Sequence, residues 1–186
     1  MSRNKRLVRG LVVAGFCGLA VRGVLELAYV NWHRAASPFE SVPLLIRIDA
    51  KGDGRFEAPR SGQRRHRGID LEAPVGTPVR AIRSGRVQTV AWHQGFGQYV
   101  ELRHGAALTS LYEHLEAVVV SEGDRVRQGQ IIGTVGKTGN ARYRLIKPHL
   151  HLEVAQNGAP VDPGALGLVA AIPPELAVTH DAEGGE

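Results

Sequence analysis

Histidines at 149 and 151, one residue apart, are the sharpest chemical signal in this sequence of 186 residues. The run 149–155 is predicted as a β-strand. Alternate side chains of a strand share a face, so the two imidazoles point one way while Leu150, Leu152 and Val154 point the other. A pair of polar rings on an otherwise apolar strand is costly to bury unless it serves something, and metal binding is the commonest service. Zinc accepts imidazole together with carboxylate; in catalytic sites it takes three protein ligands and keeps a position for water. His66 and Asp70, in His66-Arg-Gly-Ile-Asp70, supply the further donors. Gly68 between them permits a tight approach and argues against a helix there. Glu153 falls on the same face as the pair, where it can orient His151.

His114, in Tyr112-Glu-His114-Leu115, stands in a further distinctive context. The other histidines have plainer readings. His104, before Gly105 and between two strand-like runs, reads as turn chemistry. His93, near Gly95 and Gly97, reads as a surface residue, and His33 and His180 lie outside the dense part of the chain. Lys137 in Val-Gly-Lys-Thr-Gly lacks the glycine spacing of a phosphate-binding loop.

These motifs occur in an ordered series. His66-x-Gly-x-Asp70 is followed by Ala73-Pro-Val-Gly-Thr-Pro-Val79, by Gly97 to Gly105, and by Tyr112-x-His114-Leu115. Then come Gly123-Asp-x-Val-x-x-Gly-Gln130, Ile132-Gly-x-Val-Gly-x-Thr-Gly139 and Pro148-His-Leu-His-Leu-Glu153. The segment from His66 to Val154 resembles the lysostaphin-type, LytM-like zinc metallopeptidases, the M23 family of peptidoglycan endopeptidases. The resemblance implies one zinc ion held by His66, Asp70 and His151, with His149 as the general base. It makes His114 a second active-site histidine, able to hydrogen-bond the water or the developing oxyanion. Hydrolysis of peptide bonds in peptidoglycan stem peptides or cross-links is the implied reaction. Two departures stand out. Residues 140–147 form a longer connection than the family usually has, and its cations Arg142, Arg144 and Lys147 could meet carboxylates of wall peptides. Leu152 replaces a common aromatic. A rival reading is a non-catalytic module of the same fold that activates another wall hydrolase; such relatives typically lose metal ligands, whereas all five positions are filled here. A biotinyl- or lipoyl-type carrier, suggested by Gly123 to Gln130, lacks the modified lysine that such domains need.

The elements that must position these residues are short strands. Strand-length apolar runs recur at 69–71, 78–82, 85–92, 98–103, 108–112, 117–120, 130–135 and 149–155, separated by Gly, Pro and Asp. With 23 glycines, 10 prolines and only 5% aromatic residues, the chain reads as mainly β, an antiparallel sandwich or barrel-like domain with a Val, Leu, Ile and Ala core. Gln98-Tyr-Val-Glu-Leu-Arg103 alternates, so one sheet face should meet solvent. Around that domain, expected at 61–165, lie a linker with one short strand over 33–60 and a C-terminal tail over 166–186.

Residues 1–32 read as a signal anchor or signal peptide: a basic start, then an uncharged run from Leu11 to Val21. Apolar character resumes as far as Trp32, which favours one hydrophobic helix in the cytoplasmic membrane and an exported body. Phe16 before Cys17 argues against lipidation, and a single cysteine excludes an internal disulfide. The net charge of +5 is not a nucleic-acid signature. Five basic residues against Glu26 give residues 1–30 a charge of +4, which leaves +1 for everything else.

Overall fold

The computed structural model describes residues 34–174. Its strands are β1 (Ile48–Asp49), β2 (Gly52–Asp53), β3 (Gly68–Glu72), β4 (Pro78–Arg80), β5 (Gly85–His93) and β6 (Gly97–Arg103). They continue with β7 (Leu108–Val118), β8 (Arg125–Val126), β9 (Ile131–Val135), β10 (His149–Gln156) and β11 (Ala159–Val161). Short helical turns occur at Ser61–Gln63, Gly139–Arg142 and Pro163–Leu166. The fold is therefore mainly antiparallel β, as the turn-rich, aromatic-poor composition implies. The N-terminal membrane segment expected at 1–32, together with His33, His180 and the last dozen residues, lies outside the described residues. No helix among the described residues is long and apolar enough to cross a membrane.

Strand β10 is the hub. On one side it pairs with β3 and then β11; on the other it pairs with the first half of β7. Its alternation does what the sequence pattern demands: Leu150, Leu152 and Val154 are almost wholly buried in the core beneath it. Burying each of these side chains stabilises the fold by roughly 1.5–3 kcal/mol, which fixes which face carries the histidines. The pairing register sets Asp70 of β3 directly opposite His151, and Glu113 of β7 opposite it on the other side. Gly68 allows β3 to come this close. A Cβ there would stand 2.3 Å from the Leu152 carbonyl oxygen, a distance no side chain tolerates.

The runs expected as two strands at 108–112 and 117–120 are one long strand, β7. Its first half pairs with β10 as far as Glu113, and from Leu115 onward it pairs with β9. At the changeover His114 adopts φ 64°, a left-handed conformation rare for a side chain of this size, and the register against β6 slips by one residue. Simple alternation would put Glu113 and His114 on opposite faces. The bulge turns both toward the same side of the sheet.

Within the segment expected as a linker, Phe39 and Ile46 enter the core, and residues 45–54 run along the outer edge of β3. The Asp70 carbonyl accepts from Arg47 N, and Asp70 N donates to the Gly54 carbonyl, each at 2.8 Å. This edge contact brings Arg47 to the back of Asp70.

Candidate metal centre and hydrolytic site

The structure brings His66, Asp70, His114, His149 and His151 together at one end of β10, in the floor of a cavity of about 1010 Å³. His66 Nε2 lies 3.2 Å from Asp70 Oδ1 and 3.0 Å from His151 Nδ1, and His151 Nδ1 lies 2.7 Å from the same Asp70 oxygen. Tetrahedral zinc at 2.0–2.1 Å from its ligands spaces them about 3.3 Å apart. The triangle is slightly tighter than that, so the three groups could hold such an ion after a small outward shift.

Backbone carbonyls decide which ring atoms face inward. His66 Nδ1 donates to Arg55 O at 2.8 Å, His149 Nδ1 to Lys147 O at 2.7 Å, and His114 Nδ1 to Thr138 O at 3.0 Å. A carbonyl oxygen only accepts, so in each neutral ring Nε2 keeps its lone pair. For His66 that lone pair faces the donor triangle. For His149 it lies 3.9 Å from Asp70 Oδ1. The His114 and His149 rings meet edge to face, with centroids 4.9 Å apart.

Charge is arranged to match. Burial pushes the Asp70 carboxyl up, but the close His151 and His66 rings, with His151 donating to Oδ1, outweigh it and hold the group well below its ordinary range. Its outer oxygen, Oδ2, accepts from Arg47 at 2.8 Å and from Arg60 at 3.4 Å. His151 goes the other way. Burial alone would lower it, yet Glu113, Asp70 and Glu153 together raise it well above the histidine norm. The carboxyl groups of Asp70, Glu113 and Glu153 around this ring favour a positive charge at this point. The donor set therefore fits a divalent cation electrostatically as well as in spacing. By contrast, burial lowers His149 to about 4 and His114 to about 3, so both are neutral bases at pH 7.

Several partners are not singled out by the sequence pattern, although Thr138 falls within the motif Ile132 to Gly139. Thr138 is one: besides holding His114, its hydroxyl accepts from Gln98 N and donates to Leu115 O, each at 3.0 Å. Arg47 is another. Glu113 is a third; it is 4% exposed, its Oε1 has no hydrogen-bond partner, and burial pushes it up to about 7. Glu113 could have been found only by foreseeing the bulge at His114. Glu153 sits where the strand pattern put it, its Oε1 3.3 Å from His151 Nε2. Glu113, Glu153 and His151 make a second donor group. It shares the His151 ring with the first, and we favour the first because His66 and Asp70 already aim at one point.

The connection 140–147 lines the cavity with Asn140, Ala141 and Ile146, not with its cations. Lys147 pairs with Glu72 at 2.9 Å, and Arg142 lies over the Tyr143 ring. His93 is exposed at the end of β5, as expected, beside Phe96. His104 does occupy the β6–β7 turn, but its side chain is buried between Ser84 O and Ser110 Oγ and does not line this cavity.

The model of peptidase family M23 matches residues 64–163. The peptidoglycan DD-endopeptidase ShyC of Vibrio cholerae is 41% identical over 123 residues, which are 66% of this chain and 28% of that protein. The murein hydrolase activator EnvC of Escherichia coli is 37% identical over 109 residues, 59% of this chain and 25% of that protein. Among solved structures, a zinc-containing peptidase from Vibrio cholerae aligns with a TM-score of 0.56 at 31% identity, covering 76% of this chain and 41% of that one. The chain thus spans about a quarter of the length of the curated relatives it matches.

Proposed function

Because the chain belongs to peptidase family M23, we propose that it is a zinc-dependent endopeptidase hydrolysing peptide bonds in peptidoglycan stem peptides or cross-links. The observation that carries this reading is the convergence of three donor atoms, 2.7–3.2 Å apart, beside two neutral histidines whose free nitrogens face the same cavity. His66, Asp70 and His151 would hold the ion. Zinc bound there lowers the pKa of its water to about 7 and polarises the scissile carbonyl. His149, anchored through Nδ1, takes a proton from the attacking water at Nε2 and returns it to the leaving amine. His114 in the tautomer fixed by Thr138 accepts at Nε2, which suits it to orienting that water; contact with an oxyanion would first require its protonation. Glu153 and Glu113 hold His151 against Asp70 from behind.

The reaction belongs outside the cytoplasm, where peptidoglycan lies. The basic and apolar N-terminal segment serves as the tether to the inner membrane in this reading. The similarity to EnvC keeps open a second role, activation of another wall hydrolase. The complete donor set and both bases favour an enzyme.

The test is metal analysis of the purified full chain together with fragment release from isolated sacculi. His66→Ala should lose both metal and activity. His149→Ala should keep its metal and lose turnover by at least about 100-fold. Unchanged release in both variants would remove the mechanism, and a full metal site without any release in the parent protein would support the activator role.

A further inference from the structure

The sequence Arg64-Arg65-His66-Arg67 surrounds one proposed zinc ligand with guanidinium groups, and all three arginines line the cavity together with Lys51. The cations around this cavity fall into two groups. Arg47 and Arg60 are tied to Asp70, and Arg67 lies 3.6 Å from Glu153. Arg64 and Arg65 are held only by neutral acceptors. Arg64 donates to Ser61 O and Oγ at 3.2 and 3.3 Å, and Arg65 donates to Glu57 O at 3.3 Å. Both are exposed, as is Lys51, and among the described residues none of the three has a carboxylate partner.

Their backbone is ordered. Arg60 N donates to Arg64 O at 2.9 Å, and Pro59 bridges Arg65, closing the turn at Ser61–Gln63. A guanidinium carries five N–H donors, and these anchors use one or two of them. Each head is therefore held by a neutral acceptor and has donors to spare. The wall they build leads into β3. Across β10, on the β7 side, the lining carries no lysine or arginine: Glu113 and His114 lie beside the donor triangle, with Gly95, Phe96, Asn140 and Ile146 beyond them. The cavity is polarised from one side to the other, with the donor triangle between.

We propose that Arg64 and Arg65, assisted by Lys51, bind a free carboxylate of the peptide being cleaved and so select anionic peptide strands on the β3 side of the site. The proposal rests on the peptidase reading for the nature of the ligand, since carboxylates are the anions a peptide strand carries. The planar fork of arginine matches a carboxylate in two parallel hydrogen bonds, which a scattered set of solvated cations would not offer.

The test uses the metal-loaded full chain and two synthetic wall-type peptides that differ in one terminal group, free carboxylate or carboxamide. Both Kd and kcat/KM are measured. The parent protein should favour the carboxylate form roughly tenfold. The double variant R64Q/R65Q should lose that preference, treat the carboxamide as the parent does, and keep its metal. R64K/R65K should recover part of the preference, whereas a purely structural role would leave it as impaired as the glutamine variant. A parent without preference overturns the proposal, as does a preference that survives in R64Q/R65Q. An equal loss of affinity for both peptides and for polyphosphate also overturns it, because that would mark unspecific attraction. If neither peptide is hydrolysed, the peptidase reading fails while the binding constants still decide on the wall.

Discussion

At the scale of single residues, each inward-facing atom of the site is fixed by a tie on the opposite side of its group. Arg55 O, Lys147 O and Thr138 O select one tautomer of His66, His149 and His114, and Arg47 holds the outer oxygen of Asp70. His151 is the exception in orientation. Its Nδ1 faces the triangle, so its Nε2 proton must go to Glu153. A carboxylate there makes the ring a better donor to a cation than an amide would. Glu153→Gln keeps size and an acceptor but drops the charge, and metal affinity should fall about tenfold in competition with a chromogenic chelator. An unchanged affinity would mean that Glu153 does not act through His151. The convergence of His66, Asp70, His114, His149 and His151 could be anticipated from their motifs, since the metal and proton chemistry proposed for them demands particular side chains. Their ties could not, because a backbone carbonyl looks the same whatever residue carries it.

Among the elements, β10 was legible in full and β7 was not. The alternation of His149 to Val154 has one physical explanation, a half-apolar strand, and β10 follows it. The stretch from Leu108 to Val118 breaks its own alternation at Glu113 and His114. A period-two reading must then split it, although the chain continues through a bulge and changes partners from β10 to β9. The edge segment over residues 45–54 was legible only in part: one short strand was expected in this stretch, whereas it holds the two-residue strands β1 and β2 and meets β3 through backbone hydrogen bonds and an isolated bridge. Gly68 is where local geometry and the site depend on each other most directly. It opens β3 and sits between His66 and Asp70, against Leu152 O. Gly68→Ala should force β3 from β10, destabilise the fold by about 1–3 kcal/mol, and separate Asp70 from His151. Thermal unfolding and metal content should therefore both fall. A variant with parent-like melting and a full metal complement would show that the close approach can relax without consequence.

For the whole molecule, stability and acidity are linked through a histidine that does not line the cavity. His104 Nδ1 donates to Ser84 O at 2.9 Å, and its Nε2 lies 2.8 Å from Ser110 Oγ, which is 3.0 Å from the Tyr112 hydroxyl. That hydroxyl accepts from Ile82 N at 2.9 Å. One proton assignment satisfies every atom: Tyr112 donates to Ser110, Ser110 to His104, and His104 to Ser84. The chain stitches the β6–β7 hairpin to the loop before β5, and it requires a neutral imidazole. Burial lowers His104 below its ordinary 6.5, with nearby Arg83 acting in the same direction. An unfolded histidine gains its proton at a higher pH than the folded one. The contribution of His104 is thus fully present above about pH 6.5 and is lost as pH falls through the depressed folded value. Urea unfolding at pH 7.5 and 5.5 should show the parent losing more stability on acidification than His104→Gln, which has nothing to titrate there. At pH 7.5 the order reverses in cause: the variant is less stable by about 1–3 kcal/mol, because a buried acceptor or hydroxyl loses its partner. If parent and variant lost equal stability between the two pH values, the acid sensitivity would belong to the histidines of the cavity, and this buried chain would be silent to protons.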